Sequence, residues 1–376
     1  MVRLIRGFFL RQQADTSAYG PGKVTAMDES SSFVLQELLG DELTSDPTTV
    51  RGLTNHLPMA LVAKQRLGAS GDELRRFAAA YSQRLAPLAA AKEDFDHVTW
   101  KTAIGNQGAA TELRNYFAHY VADNGVEASL RAHLPALLPG VGGAGFHGVI
   151  RLAYAIEASS PIQIAAGLAY FASVARPLAA LAPTEGTTND PERLFAELST
   201  SLTWSTPQRA RLIDDEMRLV VGHEGFGEVV GSLVVDVGSE EKLAACALQI
   251  LASTDDFTAL HGVTGLAALS AVRPFLEDQE SVDRYAFQAL TAAYLSIGAP
   301  SVWSSDRLDE FVGSTFAEPI EVRAVAGNSD DEHVAKLAYT ALGGFERTGD
   351  PLYLSVAARA TAPGLSSNSL RCVIGS

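Results

Sequence analysis

Apolar residues recur at helical spacing along almost the whole of this 376-residue chain, and only Leu233-Val234-Val235 reads as a strand. Leu74, Phe77, Ala78, Tyr81 and Leu85 form one stripe of a helix expected over 72–85. Comparable runs cover 33–39, 111–122, 147–157, 161–181, 207–221, 240–252, 281–297, 331–346 and 351–361. Alanine-rich helices with short connections must bury their stripes against one another, so the chain predicts an all-α fold in one large helical domain. Residues 1–45 read as a polar, poorly structured N-terminal extension, 46–362 as the helical domain, and 363–376 as a flexible Gly/Ser-rich tail.

Composition narrows the function classes. A hydrophobic content of 47% with 19% charged residues describes a folded chain. A formal charge of −15 argues against a nucleic-acid surface and against anionic membranes, both of which need clustered Lys and Arg. No run of about twenty apolar residues is present, so no membrane span is expected. The two cysteines, Cys246 and Cys372, make neither a disulfide framework nor a thiolate metal site and fit a reducing, cytoplasmic setting. The basic opening Met1 to Arg11 is interrupted by Arg6 and is too short for a secretory signal.

Four of the eight histidines, His56, His147, His261 and His333, stand at or near a helix start with an apolar stripe behind them. His56 follows Asn55, a candidate N-cap, and precedes Pro58, which a first helical turn tolerates. His261 opens an apolar, Gly-dotted helix and shares a His-Gly-Val start with His147. In Asp331-Glu332-His333-Val334-Ala335-Lys336 the carboxylates suit the positive end of a helix dipole. His333 and Lys336 share a face with Leu337 and Thr340, which turns both inward. An inward lysine is costly unless neutralised, paired or modified. Two readings stay open on this pattern: separate core histidines with a snorkelling lysine, or one shared site.

The loop before His147 spaces Gly140, Gly142 and Gly145 as GxGxxG. A dinucleotide fingerprint needs a strand before it and an acidic residue about twenty positions on, and no Asp or Glu falls between 158 and 184. The glycines read better as permitting close backbone packing behind His147. His147, Ile150, Arg151 and Tyr154 share a helix face that resembles a pocket wall, which makes Arg151 and Tyr154 candidates for holding a phenolate or carbonyl; a structural salt bridge and packing are the alternative. His223-Glu224 is no zincin motif, since position 227 is Gly and no second histidine follows at the needed spacing.

The segments Leu53 to Met59, Leu137 to Glu157, Leu260 to Leu269 and Asp331 to Leu342, followed by Asp350-Pro351-Leu352-Tyr353, resemble the questin oxidase family in content and order. That resemblance implies a mainly helical oxygenase of aromatic polyketide metabolism, opening an anthraquinone-type ring by Baeyer–Villiger-like or dioxygenase-type cleavage. It implies non-haem Fe(II) held by four histidines and a carboxylated lysine, here His56, His147, His261, His333 and Lys336. The partners would be O2 and a small aromatic substrate. Four neutral imidazoles suit Fe, Zn, Cu or Ni, and five protein ligands exceed the four-ligand habit of structural zinc. The rival readings are a metal-free NADPH-dependent oxidoreductase and a non-catalytic helical ligand-binding protein.

Overall fold

The computed structural model describes residues 29–181, 183, 186 and 188–362. The chain runs through α1 (Glu29–Glu42), β1 (Ser45–Thr49), α2 (Leu57–Arg66), α3 (Gly71–Ser82) and β2 (Leu85–Pro87). Next come α4 (Ala110–Asn124), α5 (Val126–Leu137), α6 (His147–Glu157), α7 (Pro161–Val174), α8 (Pro191–Ser199) and α9 (Ile213–Val221). The remainder is α10 (Phe226–Gly231), α11 (Ser239–Thr254), α12 (Phe257–Val272), α13 (Gln279–Ser296), α14 (Ser305–Thr315), α15 (Pro319–Asn328), α16 (Glu332–Thr348) and α17 (Leu352–Thr361). The fold is all-α, as the helical periodicity predicts. None of its described helices is long and apolar enough to cross a membrane.

Four helices organise the rest. α2 packs on α6, α6 on α12, α12 on α16, and α16 back on α2, closing a ring. Their sequences explain why they take the centre. Every residue of α6 from His147 to Ile156 is buried, and α12 is buried on almost all sides. A helix apolar all round has no face to offer solvent and must be enclosed by others. α7 encloses α6, α11 and α13 enclose α12, and α17 covers α16.

Three expectations are corrected. The N-terminal extension does not reach residue 45: α1 buries Val34, Leu35 and Leu39 in the common core, and 1–28 lie outside the described residues, as does the expected tail. Leu233-Val234-Val235 forms no strand; Leu233 makes only an isolated bridge with Thr188. The sole ladder among the described residues is antiparallel β1–β2, with Ser45 opposite Pro87. Its Ser-Asp-Pro-Thr-Thr strand has no apolar alternation for a sequence reading to detect. The helix expected over 207–221 begins only at Ile213, because the preceding segment runs over α13, with Gln208 N–H donating to Ser296 O at 2.8 Å.

The glycine loop is a packing device. It follows a helix and a 3-10 turn, with no strand before it. A Cβ on Gly143 would lie 2.1 Å from Val174 O, and one on Gly140 2.4 Å from the Ala175 carbonyl carbon. The end of α7 fills the concavity that a pyrophosphate would need.

Gly143→Ala is expected to lower stability by about 3 kcal/mol or more, since backbone sits on both sides of the clash. Gly343→Ala, in α16 with open space around it, should gain about 0.5–1 kcal/mol. Urea unfolding of the two variants measures both.

Candidate metal centre

Each of the four ring helices delivers a histidine from its N-terminal turns. His56 is the N-cap of α2, His147 the first residue of α6, and His333 the second of α16, while His261 lies one turn inside α12. The loop that aims His147 is unusual: Ala144, Gly145 and Phe146 all have left-handed backbones, with φ of 50°, 61° and 66°. Left-handed non-glycine residues cost about 1–3 kcal/mol each and persist only where packing holds them. Here Phe146 is fully buried and its ring covers Gly265 of α12, where a Cβ would meet it at 2.5 Å. The α6 and α12 histidines are thereby set against each other.

The structure brings all five sequence-predicted metal residues into one cluster. His56 Nε2 lies 2.8 Å from His147 Nε2, which lies 3.3 Å from His261 Nε2. The His333 ring centroid is 4.8 Å from that of His56 and 6.0 Å from that of His261. Lys336 Nζ is 3.3 Å from His56 Nδ1, the ring nitrogen not directed at His147. His56, His147, His261 and Lys336 are at most 7% exposed.

Hydrogen bonding at the outer nitrogens fixes the tautomers. His147 Nδ1 donates to Ala144 O at 2.5 Å and His261 Nδ1 to Phe257 O at 2.7 Å, because a carbonyl can only accept. His333 Nδ1 donates to the Asp331 carboxylate at 3.1 Å, and the same oxygen takes the His333 N–H at 2.8 Å. All three therefore present a bare Nε2 lone pair inward. The His333 Nε2 is buried and has no hydrogen-bond partner among the described residues. Nitrogens about 2.1 Å from a shared ion stand about 3.0–3.4 Å apart, close to the separations found here. Outer-nitrogen bonds to carbonyl and carboxylate oxygens are the usual support of metal-ligating histidines. The residues fit a transition-metal ion.

Electrostatics points the same way. Burial, followed by the neighbouring cationic groups, holds His56, His147 and His261 well below the ordinary histidine range, in the neutral ligating form. Burial also lowers Lys336, to about 8, against the opposing pull of Glu332 and Asp331. Burial would raise Asp331, but its bonds with His333 hold it low.

Sequence reasoning missed two members. Glu332 had been read only as a dipole partner, yet its Oε1 lies 3.7 Å from His56 Nδ1 and 3.2 Å from Arg84 Nη1. His56, Glu332 and His333 offer donor atoms all within 4.8 Å of one another. Phe257 is half-buried at the start of α12, its ring 4.6 Å from His261 and 4.8 Å from His333. The i, i+4 spacing of Phe257 with His261, and of Glu332 with Lys336, was the available signal. Of the expected substrate contacts, Arg151 directs Nη2 to Glu42 at 2.8 Å, and the Tyr154 hydroxyl reaches Lys336 O at 3.4 Å. A surface groove of about 490 Å³ between α8 and α10 contains none of these residues.

The fold and cluster define an all-helical protein with a buried poly-histidine site between four helices. A model of the questin oxidase-like family matches residues 53–221, which bears out the resemblance and includes His56 and His147. No curated protein matches the chain.

Lys336→Met isolates the lysine's contribution. Between pH 10.5 and about 8 the unfolded lysine takes up a proton that the folded one refuses, so stability falls as pH falls. Below about 8 the loss is complete, on the order of 3 kcal/mol. In metal-free, CO2-free buffer the Met variant should match the parent near pH 10.5 and exceed it at pH 7 by urea denaturation.

Proposed function

We propose that the chain is an oxygenase that uses O2 on an electron-rich, polyketide-type aromatic substrate, with ferrous iron held by His56, His147, His261 and His333. The observation that carries this is the convergence of bare Nε2 atoms from separate helix starts, one of them without a hydrogen-bond partner among the described residues. Buried polar atoms in native proteins are nearly always satisfied, and an unpaired imidazole nitrogen beside two others calls for a cation. Bound there, ferrous iron would supply the one-electron chemistry that O2 requires.

The chain's own residues do the rest. The Ala144, Phe257 and Asp331 oxygens keep His147, His261 and His333 in their donating tautomers. Burial keeps water from the reacting groups. Phe257 offers an aromatic wall beside His261 and His333 against which a flat ring can pack. Arg151, paired with Glu42, is better read as structural than as a substrate contact.

Four neutral imidazoles leave the ion's charge unbalanced, and Lys336 and Glu332 are the groups positioned to answer it. We favour Lys336 as a carbamate. It is buried without a carboxylate bond of its own, and a neutral amine takes up CO2, giving an anionic oxygen of the kind that a facial triad obtains from Asp or Glu. The nicotinamide-dependent reading loses its local support, since α7 fills the glycine loop.

The expected metal content is about one iron per chain, lost in His147→Ala and His333→Ala, and saturating Fe(II) at about 100 times its Kd should stabilise the apoprotein by about 2.7 kcal/mol. Protein equilibrated with 13C-bicarbonate should show a carbamate carbon signal that Lys336→Met lacks. If Lys336→Met keeps its iron and Glu332→Gln does not, the anionic ligand is Glu332. Full iron in both histidine variants would overturn the centre.

A further inference from the structure

Glu42 ends α1, outside the span that the family model matches, and its side chain is wholly buried. Its Oε1 accepts from Asn55 Nδ2 and from Arg151 Nη2, each at 2.8 Å, and its Oε2 accepts from Gln163 Nε2 at 3.0 Å. None of these three partners is more than 1% exposed. Asn55 immediately precedes His56, and its Oδ1 takes the Leu57 N–H at 3.0 Å, shaping the turn into α2. Arg151 stands one turn after His147 on α6. Gln163 belongs to α7 and also donates to Leu39 O at 2.6 Å, clamping α1 in place.

One carboxylate thus joins the backbone of His56 to the helix of His147 through a single oxygen. We propose that Glu42 is a positioning residue for the His56–His147 pair. A buried ion pair is a poor source of net stability, since apolar residues of the same volume often do as well or better. What it supplies is a fixed geometry. Among the described residues the Arg151 Nε and Nη1 atoms have no hydrogen-bond partner, so Glu42 is the anion that holds this guanidinium, with the Tyr170 ring, 5.5 Å away, as a further cation contact. Without the charge, Arg151 must turn toward another polar group and take the first turns of α6 with it.

The metal half of the test rests on the proposed iron centre; the other half does not. Histidine-selective 15N NMR of the metal-free protein reports ring tautomers directly. Glu42→Gln should change the His56 and His147 signals, whereas Glu112→Gln should leave them alone; Glu112 is equally buried on α4 and takes the Lys92 N–H at 2.8 Å. Cobalt(II) affinity should fall roughly 10–100-fold in Glu42→Gln with an altered visible spectrum, and stay within about twofold in Glu112→Gln. Glu42→Asp should recover part of the affinity. If Glu42→Gln proves unfolded, Glu42→Gln/Arg151→Gln removes the unpaired charge and takes the same measurements. Parental NMR signals and cobalt affinity in a folded Glu42 variant would overturn the proposal, as would an equal change in Glu112→Gln. A parent protein that binds no cobalt sinks the iron centre and leaves the NMR comparison to decide this inference.

Discussion

Lone-pair crowding is the constraint around which this protein is built. His147 and His261 turn bare nitrogens toward each other at 3.3 Å, and His333 adds a third with no hydrogen-bond partner among the described residues. Such an arrangement is repulsive unless positive charge lies among the nitrogens. The four helices that impose it form a closed ring. Helix starts carry partial positive charge of their own, which makes the site demanding for a cation. Asp331, Asp256 and Glu332 answer that field. Asp256 caps α12 through Thr258 and Ala259, and Asp331 caps α16 while holding His333.

His133 shows what an imidazole looks like when it has only a structural task. It is as buried as the others, but its Nδ1 meets Ser129 O at 2.7 Å and its Nε2 meets the Tyr116 hydroxyl at 2.9 Å. Trp100, Tyr116, Phe117 and Tyr120 surround it with ring contacts. Both nitrogens are used and no neighbour competes for them. Burial alone therefore does not separate the two kinds of histidine; satisfaction of the inner nitrogen does.

The helical class and the placing of the four histidines at helix starts were legible because both depend on short-range patterns: 3.6-residue periodicity, Gly and Pro punctuation, and acidic first turns. α6 begins at His147, and Lys336 is inward on α16, as the stripes require. Properties that depend on distant contacts were not legible. Glu42 sits in a stretch whose polarity reads as unstructured, and only Asn55, Arg151 and Gln163 reveal why a carboxylate can be buried there. The β1 strand pairs through backbone alone and leaves no side-chain pattern. Arg151 faces inward as its position on α6 implies, but its partner comes from a helix 109 residues earlier.

The ring has an order of assembly written into the chain. Lys336 meets His56 across 280 residues, and α16, which carries Lys336 and His333, is the penultimate of the described helices. As domains emerge from the ribosome from the N-terminus onward, α2 and α6 can meet long before their last neighbour exists. At that stage only His56 and His147 of the four clustered histidines are present. Translation therefore completes the histidine cluster only once α16 has been made.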